Sequence, residues 1–272
     1  MAVDKRFIIR KMMNLETIYV AKSKVTHEPF VEYSEENLGD QVYFFDTMAD
    51  AQQFIKIYEA RHYPMVVAEL KRPQHKVFFT ELFLIGVDTI VYHSGNEDYV
   101  LKLEEVAKME APADDGKMPP KKNDVLQLTM IYYLQELRRP GVPQDDPERV
   151  QKLAELKEEM WVNIGRSRFI IPMIPAEGAP AENGLKNAKV YLVKTPPTEK
   201  APQGVTVMPI FSDLWECQKF FGNKKEQIPL AVVPFKSLKS ALVHEAEGFI
   251  LNPTTKGYLI DKRLLPDSEP VK

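Results

Sequence analysis

A single cysteine, Cys217, stands in 272 residues, so no internal disulfide can form and the chain suits a reducing compartment. Long apolar runs are missing too. No stretch of about 18 or more apolar residues could span a membrane, and MAVDKRFIIRKMM lacks the apolar core of a signal peptide. Neither sign of charge dominates: 36 basic against 39 acidic residues leave a net charge of −3, too little to imply nucleic acid or a membrane surface. GxGxxG and GxxxxGK[ST] do not occur, which removes the phosphate-cradling loops. HExxH and paired cysteines are also missing. His27, His62, His75, His93 and His244 are scattered, so the sequence implies neither a metal nor a cofactor.

What is present is a patterned globular chain, long enough for two domains with their own cores. Its centre is Thr206 to Pro253. Thr206–Phe211 reads as a strand. Asp213 and Glu216 offer a capping box for a helix carrying Leu214, Cys217 and Phe221 on one face, and Gly222-Asn223 ends it. Ile228–Phe235 is a continuous apolar run fitting a strand buried on both faces, with Pro229 and Pro234 confining its pairing to the middle. Phe249-Ile250-Leu251 follows, and Asn252-Pro253 turns the chain toward Tyr258-Leu259-Ile260.

The same order occurs earlier. Gln41–Ile55 matches Val207–Phe221, with Phe45 on Phe211 and the capping pair recurring as Thr47 and Asp50. Tyr63–Val67 matches Ile228–Val232, and Thr17–Ala21 matches Arg168–Pro172. Ordered matches of this kind predict a tandem duplication. The fold class expected is α+β: two homologous modules, each a small mixed sheet covered by helices. The division expected is a first module over 1–110, a linker over 111–123 (rich in Pro, Gly and mixed charge) and a second module over 124–272. Val77–Ile85 is expected to be helical because the second copy is helical there.

MPIFSDLWECQKFF, IPLAVVPF and GFILNP, with the preceding DPERVQKL helix and RFIIPMI strand, resemble the N-terminal domain of bacterial SseB (enhanced serine sensitivity) proteins. The likeness covers roughly Asp146–Leu265 well and Phe7–Val106 more loosely. The first copy departs from it at Tyr92-His93-Ser94-Gly95, where the second has Asn252-Pro253. The resemblance implies a fold far more than a reaction.

Three places invite chemistry. His93-Ser94 with Asp88 and Asp98 suggests a triad, but it lacks the strand-turn-helix elbow of GxSxG and reads more simply as a hairpin tip. Cys217 lies on an apolar helix face, where a thiol acts as a small hydrophobe. Asn252, Pro253, Lys256 and Tyr258 read first as a turn in which asparagine bonds its own backbone, and second as the rim of a ligand site beside the strand ends. A fourth place bears on partners. The helix Asp124–Arg139 has two apolar stripes, Val125, Leu128 and Tyr132 on one and Leu126, Met130, Tyr133 and Leu137 on another. Leaving the second in water would forgo roughly 1.5–3 kcal/mol for each large side chain, so both stripes are expected to be covered, by the modules or by a second copy of the chain. The function expected is a non-enzymatic cytoplasmic binding or accessory protein that meets a protein partner or itself, with neither nucleic acid nor membrane. The alternatives are an enzyme with a small-molecule site at the Asn252-Pro253 turn, or a structural homodimer.

Overall fold

The computed structural model describes residues 4–108, 122–174, 189–199, 201–222 and 228–267. Of the expected linker only Lys122 and Asn123 are described, and Asn223 lies outside the described residues. The chain is α+β and forms two units. The first takes the N-terminal strands and helices together with Gln127–Met160, and the second takes the short stretch through Leu126 and everything from Trp161 on. The sequence division at 124 therefore does not match these units.

In the first unit, α1 (Lys5–Met13) precedes β1 (Thr17–Ser23), β2 (Glu32–Ser34) and β3 (Gly39–Phe45). The helix α2 (Met48–Glu59) follows, then β4 (Met65–Lys71), α3 (His75–Leu84), β5 (Thr89–Ser94), β6 (Glu97–Lys102) and α4 (Leu103–Val106). Asp4 caps α1 by accepting from the Arg6 amide, and the expected capping residue Thr47 accepts from the Asp50 amide. The sheet order is β4-β1-β3-β5-β6, with β2 beside β3. Strand alternation sorts side chains between its two faces. Ile18, Val20, Val42, Phe44, Ile90 and Tyr92 pack with Ile8, Met12, Phe79 and Leu82, while Ala21, Tyr43, Phe45 and Val91 pack with Ala51, Ile55 and Tyr58 of α2. One core therefore lies on each face.

Two helices follow, α5 (Asp124–Leu137) and α6 (Pro147–Arg166). Asp146 caps α6 by accepting from the Arg149 amide at 2.9 Å. Ile131 joins the first unit's core, and Leu128 and Tyr132 pack against it. Arg149, itself buried, donates to the carbonyls of Glu136, Leu137 and Arg139 at 3.1–3.2 Å and to that of Val142. It thus satisfies acceptors that the end of α5 leaves open.

The second unit contains β7 (Arg168–Ile174), β8 (Lys189–Val190), β9 (Val193–Lys194), β10 (Thr206–Ile210) and α7 (Leu214–Phe221). It continues with β11 (Leu230–Pro234), α8 (Leu238–Ala241), β12 (Gly248–Leu251) and β13 (Tyr258–Asp261). Ile170 and Phe211 exchange backbone hydrogen bonds at 2.8 and 3.0 Å, placing β7 beside the end of β10. The order β11-β7-β10-β12-β13 then repeats β4-β1-β3-β5-β6 position by position. The senses repeat as well: the third and fourth strands are parallel and every other pair is antiparallel. Phe45 faces Tyr19 across β3 and β1, as Phe211 faces Ile170. β11 departs from expectation. It pairs along its whole length, Leu230 to Pro234, but only with β7. As an edge strand it is half-buried, because its second backbone edge has no neighbouring strand among those described.

Candidate functional site

The ends of the two parallel strands are the first place to look, since ligands in open α/β sheets gather beyond strand C-termini. In the second unit this place is filled by the protein itself. Asn252 has a φ of 48°, a left-handed conformation that asparagine tolerates better than most residues. Its carbonyl accepts from the amides of Thr255, Lys256 and Gly257. Its side chain accepts from the Ser212 amide at 3.0 Å and donates to the Ser212 hydroxyl at 2.9 Å. It therefore bridges two strands rather than bonding its own backbone as the sequence suggested. Asp213 accepts from Ser212 at 2.8 Å and from the Glu216 amide at 3.0 Å. The expected capping box is only half made, because the Glu216 carboxylate accepts instead from Thr255 at 2.5 Å. Burial raises the Glu216 pKa, against the opposing pull of Lys256 and Lys219.

Asn252 and Lys256 are both buried. These two side chains are enclosed in the protein's own packing. Pro253 is half-buried, and Tyr258 stands edge-on to Trp161 with ring centroids 6.4 Å apart. Asn252, Pro253 and Lys256 belong to a turn, and Tyr258 opens β13.

The equivalent position in the first unit holds Asp46, His93 and Ser94. Ser94 donates to Asp46 at 2.7 Å and accepts from Lys11, while His93 bonds Asp98 at 2.7 Å. Serine and histidine are thus engaged in different directions, and no triad is assembled from them. Among the described residues no group of three or more His, Cys, Asp or Glu is placed to hold a metal, and no helix is long and apolar enough to cross a membrane. Leu126, Met130 and Tyr133 are buried within the chain and offer a second copy no surface; Leu137 alone of that stripe is exposed, at 42%.

The open chemistry lies in a cleft of about 500 Å³ in the first unit. Phe30, Val31, Glu32 and Tyr33 form one side, Leu128, Thr129, Tyr132, Gln135 and Glu136 of α5 another, and Lys152, Leu156 and Glu159 of α6 a third; Asp40 and Tyr63 complete it. Gln135 holds the floor by clasping the Val31 backbone, accepting at 3.1 Å and donating at 2.9 Å. Glu32 accepts from the hydroxyls of Tyr43 at 2.6 Å and Tyr58 at 2.5 Å. Burial and these bonds push the Tyr43 hydroxyl far up and that of Tyr58 to about 12. Tyr132 donates to Asp40 at 2.6 Å. Burial raises the Asp40 pKa despite that bond, and Asp88 adds repulsion. Sequence reading missed Glu32, Asp40 and Glu136. Tyr132 was visible only as an apolar stripe residue, and no spacing signal connects these positions.

No protein-family model matches the chain, and neither does any curated protein. Among solved structures it is similar to Tic22 from Plasmodium falciparum, with 13% identity and a TM-score of 0.22 over 92% of this chain and 93% of that one. It is also similar to Anabaena Tic22 (protein transport), with 11% identity and a TM-score of 0.20 over 85% and 82% of the two chains. At TM-scores this low the likeness carries no weight for function.

Proposed function

We propose that this chain is a non-enzymatic binding protein, a cytoplasmic accessory protein of the bacterial SseB type, and that the first unit's cleft receives its protein partner. One observation carries the reading: about 500 Å³ of open space bounded by a braced, buried floor at Val31, Thr129 and Gln135 and by exposed residues at Tyr33, Lys152 and Glu159. Such a cleft with mixed apolar and polar walls is the default binding site of a globular unit. The alternative site at Asn252 has its polar groups engaged in holding a turn.

The test is selection of displayed peptides on the intact chain, repeated on Leu156→Trp. Leu156 is half-buried in the cleft wall, so the larger ring fills space without entering a packed core. Peptides enriched on the natural chain should bind the variant roughly tenfold more weakly, as expected when a central pocket is blocked, while melting is unchanged. Absence of enrichment, or equal binding to both, refutes the cleft as the site.

A further inference from the structure

The lining of this cleft is unbalanced in charge: Glu32, Asp40, Glu136 and Glu159 stand against Lys152 alone. Three neighbouring cations converge on one carboxylate. Arg139, Lys152 and Arg149 lie 2.7, 3.3 and 3.9 Å from Glu136. Glu32 and Asp40 are held by tyrosine hydroxyls instead. A hydroxyl supplies a hydrogen bond but no countercharge, so the field of these two carboxylates extends into the cleft. Lys102, the cation near Asp40, is ion-paired with Asp88 at 3.6 Å. Aromatic rings line the same walls, and Tyr63 already carries a cation, the Arg139 guanidinium 4.8 Å from its centroid. Leu128 and Leu156 add an apolar wall.

Carboxylates, ring faces and an aliphatic wall together fit a cation on a hydrocarbon stem. Resting on the cleft reading above, we propose that the group received is a lysine or arginine side chain in an extended basic segment of the partner. The space exceeds a single guanidinium group, and Glu159 and Tyr33 stand exposed beyond the floor, where a neighbouring basic residue of the same segment would reach them.

The test uses the intact chain with a labelled oligoarginine peptide, an oligoglutamate peptide of equal length, and free arginine. Oligoarginine should bind, and Glu32→Gln with Asp40→Asn should weaken it roughly tenfold, as for loss of paired charge across an interface. Glutamine and asparagine keep an acceptor for the tyrosines. Should that pair of changes unfold the chain, Glu159→Gln at the exposed wall should still weaken binding severalfold. Absence of oligoarginine binding, binding unchanged in every folded variant, or equal binding of oligoglutamate would overturn the proposal. Free arginine competing as well as the peptide at equal residue concentration would overturn the segment as its source. If oligoarginine fails while display-selected neutral peptides remain sensitive to Leu156→Trp, the cation inference falls and the cleft reading stands. If both fail, both fall.

Discussion

The thiol of Cys217 packs with Ile170, Phe211, Leu214 and Phe220, and burial, with the Asp213 charge adding to it, pushes its pKa to about 12. Thiolate is therefore scarce near neutrality, and a bulky thiol reagent should label the native chain only slowly. Cys217→Ala should cost about 1 kcal/mol in denaturant unfolding, as for loss of a small buried group. Glu216 gives a pH dependence of opposite sense to that of a salt-bridged acid. Its folded pKa is raised above the ordinary 4.5, so the folded state holds its proton more tightly than the unfolded one. Stability associated with that proton is complete below 4.5 and declines as pH rises through the folded value. Glu216→Gln, which keeps an acceptor for Thr255, should remove this decline, so its stability relative to the natural chain should grow between acid and neutral pH in paired melts. A constant difference would show that Glu216 does not titrate in this way. At this scale the sequence revealed residue types but not partners. Asn252-Pro253 was legible as a turn because both residues have strong local preferences. Ser212 was not legible as the partner of Asn252, because their meeting depends on the parallel register that sets Ile210 against Leu251.

Helix α5 was legible in its periodicity. Two stripes at helical spacing predicted cover on more than one side; Leu126, Met130 and Tyr133 are buried and Leu128 and Tyr132 half-buried, but Val125 and Leu137, at the two ends of the helix, are exposed. What covers such a stripe depends on tertiary packing, which periodicity does not encode. Nor could the sequence show how α5 ends. Arg149 lies in the first turn of α6, and its guanidinium donates to the carbonyls of Glu136, Leu137 and Arg139 at and just past the end of α5 and lies 3.9 Å from Glu136. Arg149→Met should therefore cost about 3 kcal/mol, the lower range for breaking a buried charged contact. The loss should appear as a lower melting temperature, with faster amide exchange along α5 and no change in mass. An unchanged melt would show that water replaces the guanidinium without penalty.

Across the whole molecule, the repeated strand order was the most legible feature, because a strand-helix-strand pattern survives large changes in side-chain chemistry. The cleft was the least legible, since its walls come from separated stretches around Phe30, Asp40, Tyr63, Tyr132 and Leu156. The repeat also sets up an internal contrast. At the same strand-end position one unit uses buried groups, Asn252 with Ser212, whose hydroxyl donates on to Asp213, and the other a partly exposed ion pair, Lys11 3.4 Å from Asp46 with Ser94 between. Beside these groups the Asp46 amide donates to His93 and the Asn252 amide to Ile210. Raising ionic strength to 1 M shortens the Debye length to about 3 Å and weakens partly exposed ion pairs far more than neutral hydrogen bonds. Hydrogen exchange at Asp46 should accelerate relative to Asn252 as electrolyte is added. The duplicated fold thus carries its own reference: the response of a partly exposed ion pair in one copy is read against buried hydrogen bonds at the corresponding strand ends of its twin.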